Sequence, residues 1–196
     1  MGKSKITKKR SKKITLVTGA ARSGKSEWAE TLALQTNQPI IYVATAKVEA
    51  TDLEWLQRIE KHQRRRPSSW QTIIAQTELA TTIDTQVPPN CLLIDSLGTW
   101  VANLLEKDEA SWDLILEKLL KTLEKAKVDV ILVAEEVGWG VVPAYPIGRK
   151  FRDRLGMLVR QIGAMADVVY LVTGGHVLNL SLLGQPIPTT PNPSSE

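Results

Sequence analysis

Residues 19–26 read Gly19-Ala20-Ala21-Arg22-Ser23-Gly24-Lys25-Ser26 and satisfy the pattern G-x-x-x-x-G-K-[ST] at every fixed position. The flanks agree with the motif. Ile14-Thr15-Leu16-Val17-Thr18 is a β-branched apolar run that reads as a buried strand, and Glu27 through Leu34 is good helix material. A strand, a glycine loop and a helix in that order build an anion cradle. Glycines let backbone N–H groups turn inward, and the new helix points its positive end at the same place. Lys25 adds a mobile cation for the outer phosphates, and Ser26 a hydroxyl for Mg²⁺. The loop therefore predicts binding of a nucleoside triphosphate.

The rest of the chain sets that loop in an α/β frame. Apolar runs at 14–18, 40–44, 70–75, 91–95, 128–134, 167–173 and 176–180 alternate with helical patterns, as in a mostly parallel sheet of about seven strands with helices on both faces. Gly174-Gly175 between the last two runs suits a hairpin, which makes the final strand an antiparallel edge. Leu116, Leu119, Leu120 and Leu123 line one face of a helix over 111–126. Phe151, Leu155, Leu158, Ile162 and Met165 form a stripe along 148–166, with Arg149, Arg152, Arg154 and Arg160 interleaved. Core packing is the plain reading of both stripes.

The whole reads as one domain over 14–183 between a basic tail at 1–13 and a Pro/Ser/Thr-rich tail at 184–196. The sequence pI near 9.2 comes from the first tail. Seven of the 25 Lys and Arg fall in the first thirteen residues, which leaves 18 against 21 Asp and Glu, so the body is slightly acidic and carries no nucleic-acid-binding signature. No apolar run is long enough to span a membrane and no secretory signal is visible. The single cysteine, Cys91, sits in an apolar run as a buried thiol, which suits a reducing cytoplasm.

Three further groups carry candidate chemistry. Asp95 ends the run Cys91-Leu92-Leu93-Ile94, where phosphate-loop proteins place a carboxylate for Mg²⁺; the competing role is a helix N-cap near Ser96. Glu135 and Glu136 end the run at 128–134 and occupy a comparable position, either able to support a metal or activate a hydroxyl. His62 continues the face marked by Leu53, Leu56 and Ile59 on a helix starting near Asp52, and Arg64, Arg65 and Arg66 follow it. A packing or capping histidine fits that spacing. So does a nucleophile, because adjacent cations favour the neutral imidazole and offer donors to phosphate oxygens.

Taken together these residues resemble one known family. Its phosphate loop resembles Thr18 through Ser26, and its second strand resembles Tyr42-Val43-Ala44-Thr45-Ala46. Its most distinctive segment is similar to Arg58-Ile59-x-x-His62-x-x-x-Arg66-x-x-x-Trp70-x-Thr72. Leu93-Ile94-Asp95-Ser96-Leu97, then Trp100-Val101 and Asn103-Leu104-Leu105, and later Glu136-Val137-Gly138-x-Gly140-x-Val142-Pro143 and Phe151-Arg152-Asp153-x-x-Gly156, extend the match over roughly 14–180. The family is the bifunctional adenosylcobinamide kinase and adenosylcobinamide-phosphate guanylyltransferase of cobalamin biosynthesis.

The resemblance implies a RecA-like phosphate-loop fold and two reactions. One phosphorylates the aminopropanol hydroxyl of adenosylcobinamide with a nucleoside triphosphate, ATP or GTP. The other transfers GMP from GTP to that phosphate through a guanylyl-histidine, for which His62 is the matching residue. It implies a nucleotide site formed by Gly19 through Ser26, Ala44, Thr45, Ala46, Gln63, Arg64, Arg65, Arg66 and Asp95, with Ser26 and Asp95 holding Mg²⁺ and Lys25 acting in catalysis. It also implies a homotrimer. Where the family carries a nucleotide-contacting glutamate this chain has Ile74, so base preference does not carry over. Two other readings fit the residues: a different small-molecule or nucleotide kinase with a structural His62, and a nucleotide-dependent binding module acting through the basic tail.

Overall fold

The computed structural model describes residues 12–47, 60 and 66–187. Its centre is a seven-stranded sheet ordered β3-β2-β4-β5-β1-β6-β7. The strands are β1 (Ile14–Gly19), β2 (Ile40–Ala44), β3 (Gln71–Ile74), β4 (Cys91–Asp95), β5 (Asp129–Glu135), β6 (Val168–Thr173) and β7 (His176–Asn179). All pair in parallel except β6 with β7, the expected antiparallel edge, closed by Gly174-Gly175 with both φ positive, as a tight hairpin turn of primed type requires. The helices are α1 (Lys25–Gln35), α2 (Leu79–Asp84), α3 (Leu97–Asn103), α4 (Glu109–Lys125), α5 (Pro146–Met165) and the single turn α6 (Leu180–Leu183).

Alternation along the strands divides the interior into two cores. Leu16, Ile41, Val43, Leu92, Ile94, Val130 and Leu132 face the side covered by α2 to α5. Val17, Ile40, Tyr42, Cys91, Leu93, Ile131 and Val133 face α1, which packs through Ala29 and Ala33. The first core is anchored by Trp100 and Trp112, both about 1% exposed, with ring centres 5.9 Å apart. Trp100 also donates its indole N–H to Thr77 O at 3.1 Å, which satisfies the polar end of a fully buried ring.

Lys12 and Lys13, read from sequence as the end of a tail, belong to the body. The Lys12 ammonium donates to Leu123 O at 2.8 Å and to Glu124 O, meeting the exposed carbonyls at the end of α4. Lys13 N donates to Asp129 Oδ1 at 2.8 Å and its carbonyl receives Val130 N at 2.9 Å. The four arginines of α5 are not equivalent. Arg154 is 4% exposed and belongs to the packed interior. It donates to Leu104 O, Lys107 O and Glu109 Oε1 at 2.8 to 3.0 Å and stacks over the Trp112 ring at 4.8 Å. The helix expected from Asp52, with His62, Gln63, Arg64 and Arg65, lies outside the described residues.

Candidate active site

The carboxyl ends of β1, β2, β4 and β5 converge on the loop at 19–26, where ligands of open α/β sheets bind. That loop turns tightly. Ser23 N donates to Ala20 O at 3.2 Å, and Arg22 and Gly24 take left-handed backbone conformations with φ of 59° and 92°. Gly24 occupies the N-cap of α1, a conformation an L side chain resists, so the fixed glycine of the pattern is required by the backbone itself. Lys25 opens the helix and is buried at 6% exposure, with its ammonium folded back to Ala20 O at 3.3 Å. Among the described residues the buried hydroxyl of Ser23 has no hydrogen-bond partner, which leaves a donor to spare within the loop.

Register brings two carboxylates to the same edge. Gly19 pairs with Glu135 and Ala44 with Asp95. Asp95 continues the side-chain row of Cys91 and Leu93, and Glu135 that of Ile131 and Val133, so both fall on the face covered by α1, where the phosphate loop lies. Asp95 is half-buried and its Oδ2 accepts from the Tyr42 hydroxyl at 3.2 Å. The N-cap of α3 is the neighbouring Ser96, whose hydroxyl accepts from Thr99 N in a capping box, so Asp95 is released from that duty. Glu135 Oε2 accepts from Gly98 N at 3.0 Å. Glu136 lies beyond the strand; its N donates to Gly19 O at 2.9 Å and its carboxylate accepts from Gly138 N at 3.0 Å.

The β2 end contributes unevenly. Ala44 and Ala46 are half-buried at the edge. Thr45 is fully buried, and its hydroxyl donates to Ser96 O at 2.7 Å while accepting from Ser96 N at 2.9 Å. Its side chain fastens β2 to α3, so only its backbone is left for a ligand. Asn103 extends the clamp by donating to Thr45 O at 2.8 Å and Gln76 O at 2.9 Å. Arg66 reaches the same edge from the other side, with its guanidinium over the Tyr42 ring. Tyr42 itself was missing from the sequence-based site; its place on the second strand two residues before Ala44 was the available signal. Ile74 on β3 is 69% exposed and Trp139 after β5 is 73% exposed.

Comparison with known proteins adds the family. A sequence profile described as cobinamide kinase / cobinamide phosphate guanyltransferase matches residues 15–180. The chain belongs to that family. The cobinamide kinase / cobinamide phosphate guanyltransferase match accounts for nearly the whole described fold. The chain is 36% identical over 177 residues, 83% of its length and 96% of the other's, to the Bifunctional adenosylcobalamin biosynthesis protein CobU of Escherichia coli (strain K12). It is 37% identical over 174 residues, 88% of its length and 98% of the other's, to CobP of the same description from Pseudomonas aeruginosa. A solved structure from Pyrococcus horikoshii OT3 superposes with a TM-score of 0.55 over 93% of this chain and 95% of that one at 8% identity, a likeness of fold alone. Family membership makes the protein a transferase of kinase and nucleotidyltransferase type in cobalamin biosynthesis, with nucleoside triphosphates and a corrinoid as fitting substrates.

Proposed function

We propose that this enzyme phosphorylates the aminopropanol hydroxyl of adenosylcobinamide and then transfers GMP from GTP to the resulting phosphate, releasing pyrophosphate. The observation that carries the reading is the meeting of the phosphate loop with Asp95 and Glu135 on one face of one sheet edge, in a chain of this family. Gly19 through Ser26 would cradle the phosphates, with Lys25 offsetting the charge that builds on them during transfer. Ala44, the Thr45 backbone, Ala46, Gln63, Arg64, Arg65 and Arg66 complete the nucleotide site in this proposal. Asp95 would stand at its metal side.

The donor set suits Mg²⁺. The Ser26 hydroxyl and the Asp95 carboxylate are hard oxygens, both half-buried, and a magnesium site takes only one or two protein oxygens besides phosphate and water. Bound there, the ion would neutralise phosphate charge. Asp95 keeps its orientation through the Tyr42 hydroxyl, so its second oxygen is the one turned to a ligand.

His62 would act as the nucleophile of the second reaction. Its imidazole nitrogen attacks the α-phosphorus of GTP, the bond to the β-phosphate bridge breaks, and pyrophosphate leaves. A phosphate oxygen of the corrinoid then displaces the imidazole. Dividing the reaction this way avoids direct attack of one anion on another. A homotrimeric, cytoplasmic enzyme completes the proposal; among the described residues no helix is long and apolar enough to cross a membrane. The test is a reconstituted assay with cobinamide, ATP, GTP and Mg²⁺, in which cobinamide phosphate and then GDP-cobinamide should accumulate. Phosphate transfer to nucleosides instead, with cobinamide untouched, would contradict it.

A further inference from the structure

The two transfers make different demands on the protein. In guanylyl transfer both nucleophiles bring a lone pair of their own, first a neutral imidazole and then a phosphate oxyanion, so no base is needed at the acceptor. Phosphorylation of an alcohol is different, because the hydroxyl must give up its proton as the new O–P bond forms. The groups discussed so far serve phosphate binding or the histidine step. A proton acceptor for the hydroxyl is still required.

Two adjacent carboxylates stand at the end of β5, and the fold separates them. Glu136 lies past the end of the strand, and its carboxylate accepts from its own loop at Gly138 N. Glu135 is paired with Gly19, the first residue of the phosphate loop, and shares the α1 face with Asp95. Its Oε2 is fixed by Gly98 N at 3.0 Å. No hydrogen bond or ion pair engages its Oε1 among the described residues, and the side chain is half-exposed. The fixing is built into the sequence, since a Cβ at Gly98 would overlap the Glu135 carboxylate. Asp95, the other carboxylate on this face, is held by the Tyr42 hydroxyl and stands at the metal side.

Resting on the functional reading above, we infer that Glu135 is the general base of the kinase step and takes no part in guanylyl transfer. One carboxylate oxygen, oriented by the Gly98 amide on its partner, accepts the proton of the acceptor hydroxyl. That hydroxyl oxygen bonds to the γ-phosphorus of the triphosphate, the bond from the γ-phosphorus to the β–γ bridging oxygen breaks, and the diphosphate departs with the electron pair. The proton passes from Glu135 to water before the next turnover.

The experiment uses full-length wild-type and Glu135→Gln enzymes with Mg²⁺, assayed separately for cobinamide phosphorylation by ATP and for protein-bound GMP from α-labelled GTP. The amide oxygen of Gln can still accept from Gly98 N, so the local structure is kept. Kinase kcat should fall about 100-fold or more. The KM for nucleotide should stay within a few-fold, and GMP labelling should be retained. Retained labelling also reports a folded site. Wild-type kinase turnover in Glu135→Gln would overturn the inference, leaving the carboxylate as a cap for Gly98. Equal loss of both half-reactions would also overturn it, because Glu135 would then serve the shared phosphate site. Wild-type enzyme that labels with GMP yet leaves cobinamide unphosphorylated would remove the kinase reading itself, an outcome separate from failure of the base.

Discussion

The Arg66 guanidinium lies 3.6 Å from the centre of the Tyr42 ring, whose hydroxyl donates to Asp95 Oδ2 at 3.2 Å. A cation, a ring and a carboxylate are thus placed in series at the carboxyl ends of β2 and β4. Burial, and after it the charge of Asp95, push the Tyr42 phenol well above its ordinary value of 10.0, while Arg66 pulls the other way. The folded state therefore favours the neutral phenol. Its contribution to stability is complete below the unfolded value and declines as pH rises beyond it. Tyr42→Phe should lose about 1 kcal/mol at neutral pH and loosen Asp95, weakening nucleotide binding several-fold. It should also flatten the fall in stability above pH 10. Melting curves across that range, with nucleotide titration, check both.

Gly98→Ala places a methyl group where the Glu135 carboxylate sits. The carboxylate must swing away and surrender its bond to the α3 amide. A destabilisation of about 1–3 kcal/mol is expected, with kinase turnover reduced more than GMP labelling. Equal turnover in the variant and the parent would show that Glu135 needs no anchoring.

How much of this was legible in the sequence follows from which contacts are local. The strands β1, β2, β4 and β5 announce themselves because strands buried on both faces must be continuous apolar runs. The loop conformation was legible too, since a fixed glycine at the start of α1 is required by its backbone angle. The short helix α2 was not, because its six residues hold less than two turns of periodicity. Nor could Glu135 be told from Glu136 until the pairing of Gly19 across β1 and β5 fixed which faces α1. In the sequence Arg154 is one of four arginines interleaved with an apolar stripe, and nothing sets it apart from the others. Its partners, Leu104 O and Lys107 O, come from some fifty residues away and leave no trace in local spacing.

Arg154 predicts the largest stability effect. Arg154→Ala strips hydrogen bonds from carbonyls that end α3 and opens a void against Trp112. A loss of about 2–5 kcal/mol is expected from the void and the carbonyls left without donors, and Arg154→Lys should recover little, because a point charge cannot span several carbonyls. Urea unfolding of both variants measures this. A change within the error of the wild type would contradict the packing described.

Asp108 caps α4 by accepting from Ser111 N at 2.7 Å, and that bond holds its carboxyl below the ordinary value of 3.8. A lowered folded value means the stabilisation is present above the unfolded value and is lost as pH falls through the folded one. Asp108→Asn keeps a capping acceptor without the charge. Wild type should therefore lose more stability than Asp108→Asn on acidification from pH 5 to pH 2, a difference read from thermal melts.

Covalent trapping tests the central claim most directly. Full-length enzyme incubated with α-labelled GTP and Mg²⁺, then denatured, should retain label that acid releases and base does not, as a phosphoramidate requires. Peptide mapping should place it on His62, and His62→Ala should carry none. Label that maps elsewhere, or an active transferase that never becomes labelled, would contradict the account.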